Sequence, residues 1–348
     1  MSFRSIATIV TIILVGLVIF LGREKIIQAW NLLGSVNIWI LLILIPLQFA
    51  SYFATGGMIF SYLRSKGDLK GASQKQMTRV ALEFNFVNHV FPTAGDAIGF
   101  SYLCWSLKRF GVSLGRATMA QMVRFAVSFI VFLGFLVLSV FLLILDQKIN
   151  RPIIFMSALL LLLIIVVIVL FAYAISNHRR LIRFSSWVTK FVNTIVRKIT
   201  RGKKPELLKL EKVEAFFTEM HQDYLAILAD KKILKTPFIW ALVFNIADVM
   251  LLFVAFWALG FIVSPAILFV AFGVAVVAGA LSVTPGGTGV YEAVMITFLI
   301  SAGVPAEAAI AGTLLARVVL LLGTIASGYL FYQLTINKYG KPTAKSDI

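Results

Sequence analysis

Two stretches of this sequence, nearly two hundred residues apart, set proline, glycine and a carboxylate inside otherwise apolar sequence. The first reads Asn88-His89-Val90-Phe91-Pro92-Thr93-Ala94-Gly95-Asp96. The second reads Ser282-Val283-Thr284-Pro285-Gly286-Gly287-Thr288-Gly289-Val290-Tyr291-Glu292. A Gly-Val pair follows each, Gly111-Val112 and Gly303-Val304, and then one arginine within an apolar run, Arg124 and Arg317. Breakers and charges are costly in hydrocarbon, and irregular backbone is tolerated there only when buried in protein or lining a cavity. Paired interruptions at corresponding places in two halves of a chain are the pattern of a transporter's binding site. The chemistry these residues could do is recognition of a polar group at bilayer depth.

The titratable groups expected at that depth are Glu83, His89, Asp96, Arg124, Asp248, Glu292 and Arg317. A purely structural reading pairs Arg124 with Glu83 or Asp96, and Arg317 with Glu292 or Asp248. The doubled set, one arginine and two acids per half, argues for use. Buried ion pairs are often no better for stability than apolar packing, so keeping two of them suggests a ligand. Pro285, Gly286, Gly287 and Gly289 form a turn that can unwind. It would leave N–H donors open at the start of a half-helix near Val290, where an anionic group could sit. The turn lacks the Lys-Ser/Thr ending of a nucleotide loop, so nucleotide hydrolysis is not expected. No nucleophile-base-orienter set and no metal-ligand spacing is legible, so neither catalysis, a metal nor a cofactor is expected. With one cysteine, Cys104, an intramolecular disulfide is excluded.

The elements that must position these residues follow from composition. The chain has 348 residues, 60% of them hydrophobic, and a mean hydropathy of +0.96. That composition belongs to an all-α polytopic membrane protein, since a β-barrel would show short alternating segments instead. Apolar runs fall at about 5–21, 36–62, 80–105, 118–145, 152–176, 236–262, 265–302 and 306–334. The run 80–105 carries a heavy polar load and is basic on both flanks, which predicts a re-entrant hairpin rather than a crossing. With the N-terminus inside, 26 of the 32 Lys and Arg fall in inner loops and 4 in outer ones, a strong positive-inside bias. The run 265–302 has no basic flank and breaks at Thr284-Pro285-Gly286-Gly287. The expected organisation is a single membrane domain built as an inverted-topology repeat with two broken or re-entrant hairpins. Residues 5–176 form the first half with its hairpin at 80–105, and 236–335 form the second with its hairpin at 265–302. Between them, 178–235 is a basic connector with an interfacial amphipathic helix around Trp187 to Lys198 and a second helix at 206–229.

The net charge of +17 reads as loops facing an anionic leaflet and not as a nucleic-acid surface, because no aromatic-basic platform accompanies it. Membrane lipids are therefore the expected partners, with a homodimer left open. The expected location is the cytoplasmic membrane, with both termini on the cytoplasmic side.

The string Pro285-Gly286-Gly287-Thr288-Gly289-Val290-Tyr291-Glu292, Arg317 one hairpin later, and Pro92-Thr93-Ala94-Gly95-Asp96 resemble the flippase-like membrane domain of lysylphosphatidylglycerol synthases. The resemblance covers about residues 5 to 335. It implies movement of a lipid headgroup between leaflets. It also implies an arginine shortly after the first acid, a place that falls near Gly99 here. Two-domain members add a soluble aminoacyl-transferase domain. This chain, ending at Ile348, is expected to inherit only the translocating part. Arg124, Arg317 and the 285–289 turn would then hold phosphate, while Asp96, Glu292, Glu83 and Asp248 hold amines or hydroxyls, and these four carboxylates with His89 would allow proton coupling. A secondary transporter of a small soluble solute is the alternative reading, and a transferase acting on a lipid carrier a more distant one.

Overall fold

The computed structural model describes residues 30–69, 71–90, 95–145, 210–281 and 289–340, with isolated positions at 27 and between 155 and 194. All the regular structure among them is helical. A single turn at Ile38–Leu41, capped by the Asn37 carboxamide on the N–H groups of Trp39 and Ile40, leads into α1 (Leu44–Ser65). Then come α2 (Gln74–Val90), α3 (Gly95–Lys108) and α4 (Leu114–Leu145). After the connector come α5 (Leu210–Ala229), a 3₁₀ turn at Lys231–Leu234 and α6 (Lys235–Ala258). The chain closes with α7 (Pro265–Leu281), α8 (Val290–Ser301) and α9 (Ala306–Tyr339).

Four stretches are long and apolar enough to cross a membrane: Ile38–Ser65, Leu114–Leu145, Lys231–Ala258 and Ala306–Tyr339. Their outward faces carry exposed Phe141, Leu142 and Leu145 on α4 and Leu322, Leu330 and Leu334 on α9. Such a surface is stable against lipid and costly in water. The chain is thus an all-α polytopic membrane protein, as composition required. The runs at 5–21 and 152–176 and the amphipathic helix near Trp187 lie largely or wholly outside the described residues.

The limbs of the two interrupted runs are shorter than these four. α3 has 14 residues and α8 has 12, so each is about 20 Å long against roughly 30 Å of hydrocarbon. α2 packs on α3, and α7 packs on α8. Each half repeats one order: long helix, hairpin, long helix. The punctuation repeats too. α3 ends at Gly111 with its N–H on Lys108 O and the Val112 N–H on Leu107 O; α8 ends at Gly303 with its N–H on Ile300 O and the Val304 N–H on Leu299 O. Both glycines have φ near +80 to +90° (80° and 89°). This double bond closes a helix only through a left-handed residue, hence glycine. The same closure recurs at Gly67 and Gly260.

Two compact units emerge, and each draws on both sequence halves. One comprises Met1–Gln48, Leu138–Ser157 and Asp248–Leu322; the other comprises Phe49–Val137, Ala158–Ala247 and Gly323–Ile348. In the first, Leu44 packs with Leu251 and Val254, and Leu259 with Ala311. Gly312 lets α9 approach the Phe256 ring, which a Cβ would overlap. In the second, Met58, Tyr62 and Leu63 of α1 pack with Leu103 and Leu107 of α3 and Val123 and Val127 of α4. Gly57 sits beneath the Trp240 indole, a close small-residue contact.

An ionic cluster in the second unit anchors the connector helix. Asp223 of α5 is buried. It accepts from the Tyr62 hydroxyl at 2.9 Å and lies 3.3 Å from Lys66 Nζ and 3.2 Å from Arg116 Nε. Arg116 also reaches Asp68 at 3.5 Å and Glu219 at 4.0 Å, and Ser113 Oγ donates to Glu219 at 2.5 Å. Arg116 and Asp68 lie on opposite sequence flanks of the α2–α3 hairpin, so the segments leading into and out of it meet.

Candidate functional site

The second-half site begins with the backbone at Gly289, where φ is +87° and α8 starts one residue later. Glu292, three residues on, turns back so that its Oε2 accepts the Gly289 N–H at 2.6 Å. This carboxylate at a helix N-terminus is stabilised by the dipole, as in a capping box without its usual hydroxyl partner. Its other oxygen, Oε1, is 3.1 Å from Arg317 Nε, with 13% of the Glu292 and 37% of the Arg317 side chain exposed. The Arg317 guanidinium lies 5.0 Å over the Tyr291 ring. Tyr291 is also within electrostatic reach of Asp248. Glu292 and Arg317 therefore meet at the head of α8.

This corrects one expectation about the glycine turn. The Gly289 N–H is not open for an external anion, because Glu292 takes it first. Pro285, Gly286 and Gly287 lie outside the described residues.

In the first half, Glu83 of α2 is buried and bound on every side. Oε1 accepts from Arg79 Nε at 2.9 Å and from Thr335 Oγ1 at 2.5 Å, and Oε2 accepts from the Tyr102 hydroxyl at 2.7 Å. Arg79 Nη2 donates to Thr335 Oγ1 at 2.7 Å and to the Phe331 carbonyl at 3.3 Å. The expected pairing of Glu83 with Arg124 gives way to Arg79, one helical turn earlier. The i,i+4 spacing of Arg79 and Glu83 was the available signal, and the contributions of Tyr102 and Thr335 had none. A carboxylate with both oxygens engaged holds α2, α3 and α9 together.

Arg124 projects from α4 with its Nε 3.1 Å from Gln121 Oε1 and its guanidinium over Phe125 at 4.4 Å and Phe84 at 5.9 Å. In each half, then, the arginine of the long helix lies over an aromatic ring of the hairpin, Phe84 or Tyr291. The side chains of His89 and Asp96 lie outside the described residues. Gly99, where the resemblance implies an arginine, packs against Asn88, and a Cβ there would overlap the Asn88 carboxamide oxygen. Among the described residues no group of three His, Cys, Asp or Glu could hold a metal ion.

Comparison with known proteins adds one match. A family model described as the lysylphosphatidylglycerol synthase TM region matches residues 5–328. No curated protein matches the chain.

Proposed function

This chain belongs to the family of the lysylphosphatidylglycerol synthase transmembrane region, and from that premise we propose that it is a lipid translocase. The observation that carries the reading is the Arg317–Glu292 pair at the head of α8. Its carboxylate is held by the Gly289 N–H, and 37% of the Arg317 side chain is left exposed. A phospholipid or lipid-linked headgroup would bring its phosphate to Arg317 in the second half, and Arg124 would offer the same contact in the first. Glu292 and Asp248 would receive amines or hydroxyls in the second half and Asp96 in the first, and the 285–289 turn would give the backbone room to admit the group. Arginine suits this task because its planar fork meets two phosphate oxygens and stays charged in any surroundings. Glu83 we assign to holding the hairpin.

In the same proposal the α2–α3 and α7–α8 hairpins are re-entrant and enter from opposite faces of the cytoplasmic membrane, in an inverted repeat. Both termini and the basic connector face the cytoplasm. The acyl chains stay in surrounding lipid while the headgroup crosses, so no reaction is catalysed and the protein's partners are membrane lipids.

The test is a leaflet-resolved assay in proteoliposomes over a panel of labelled lipids differing only in headgroup. Movement of one headgroup class above protein-free vesicles is the expected result. No movement of any lipid, together with uptake of a water-soluble solute, would overturn the proposal in favour of a solute transporter.

A further inference from the structure

The C-terminal ends of α3 and α9 carry a basic-aromatic cluster, at the far end of α3 from the first broken turn. Arg109, one residue beyond α3, lies 4.4 Å over the Trp105 ring and 4.6 Å over the Tyr339 ring. Its Nε donates to the Ser106 carbonyl at 3.4 Å. Lys108 closes α3, and Lys338 in the last turn of α9 lies 5.2 Å over Tyr339. Arg79, Arg116 and Arg317 each have a carboxylate within 4.0 Å. Arg109 has none in such contact among the described residues.

A cation near a helix C-terminus is favoured by the dipole, and that alone would explain a positive residue here. It does not explain a guanidinium set over two rings whose Nη groups meet no hydrogen-bond acceptor among the described residues. Contact with two rings restrains the group, and the Ser106 bond uses Nε. The two Nη groups remain as a pre-oriented fork of the kind that takes two oxygens of a phosphate. Lys108 and Lys338 add positive potential. Trp105 also packs on Tyr102 at 5.4 Å, and the Tyr102 hydroxyl is bonded to Glu83, so the ring wall is tied to the interior.

The surface next to the cluster decides what carries the phosphate. Leu330, Leu334 and Lys338 recur every four residues along α9, and both leucines are exposed, at 59% and 50%. An apolar track one side chain wide therefore leads up the helix to the lysine. A soluble anion has no use for that track; an acyl chain does. Tryptophan and tyrosine at such a level are the residues of a membrane–water interface.

We propose that Arg109, with Trp105, Tyr339, Lys108 and Lys338, binds the phosphodiester of an anionic phospholipid whose acyl chain lies along Leu330 and Leu334. The site goes beyond the translocation pathway and requires only that the chain sit in a membrane. It would hold lipid whether or not the protein moves any.

The experiment counts lipid adducts on the detergent-purified full chain by native mass spectrometry. The probes are dioleoyl phosphatidylglycerol, dioleoyl phosphatidylcholine and inorganic phosphate. Arg109→Gln should weaken the tightest phosphatidylglycerol adduct about tenfold, the scale of one lost charge-assisted fork. Arg109→Lys, which keeps the charge and the fold but loses the fork geometry, should weaken it by less. Phosphatidylcholine binding should not change, and millimolar phosphate should not displace the lipid. Unchanged phosphatidylglycerol affinity in both variants would overturn the proposal and leave Arg109 an interfacial anchor. Full displacement by inorganic phosphate would assign the site to a soluble anion and overturn it equally. Because the readout is binding, failure to translocate any lipid would sink the proposed function and leave this site standing.

Discussion

Replacing Glu292 with Gln and Arg317 with Met, singly and together, separates a structural pair from a binding site. Glu292→Gln keeps an oxygen for the Gly289 N–H, at 2.6 Å in the native protein, but removes the charge facing Arg317. Breaking a fully buried pair costs about 3–5 kcal/mol. Here 37% of the Arg317 side chain remains exposed, so it can turn elsewhere, and each single change should cost about 1–2 kcal/mol. The double variant should cost no more than either single one, because no unpaired charge remains. Transport should behave differently. Losing a charge-assisted contact to phosphate is worth about 1.5–3 kcal/mol, or about ten- to a hundredfold in rate. The double variant should therefore be as stable as the singles and still slow. Stability is read from unfolding by titrated denaturing detergent in mixed micelles, and transport from leaflet movement of labelled lipid normalised to folded protein. A double variant that moves lipid at the native rate would refute the reasoning, for the pair would then serve the fold alone.

Three further outcomes follow from the geometry. Glu83→Ala strips three donors of one buried acceptor pair and should destabilise by about 3 kcal/mol, with Tyr102→Phe costing about 1 kcal/mol in the same unfolding assay. A side chain at Gly303 meets nothing within 4 Å but must adopt φ near +89°, so Gly303→Ala should cost only about 1–2 kcal/mol. A much larger loss would mean that crowding, not φ, governs the site. In a Cys104→Ser background, cysteines at Lys75 and Lys108, both exposed and on opposite flanks of the α2–α3 hairpin, should react with an impermeant thiol reagent from the same membrane face. Labelling of one from outside cells and the other only from inside would make the hairpin a crossing.

The sequence alone was enough for class, order and punctuation, because these depend on local physics. Apolar length and charge bias identify membrane helices without reference to any contact. The Gly-Val pairs at 111 and 303 mark helix ends because only a left-handed residue closes a helix that way. Pro285 and the glycines after it required a break, and α8 begins at Val290, where the half-helix was expected. Family membership was legible for the same reason, since the Pro-Gly-Gly-x-Gly-x-x-Glu string is itself a local device.

Partner choice was decided by the tertiary structure. Seven titratable residues expected at depth offer many pairings, and sequence distance does not rank them. Glu83 goes to Arg79, with Tyr102 and Thr335 completing it, because α2, α3 and α9 converge there. Glu292, one of the two acids considered for Arg317, reaches it and also claims the Gly289 N–H, as a carboxylate at the third position of a helix can. Gly99 looks like a missing arginine in the sequence and is, in space, the room that Asn88 needs. Asp223 reads as one acid in a basic connector, yet it gathers Tyr62, Lys66 and Arg116 from helices more than a hundred residues away. Long-range pairing of charges depends on which helices pack, and no property of a single segment carries that information.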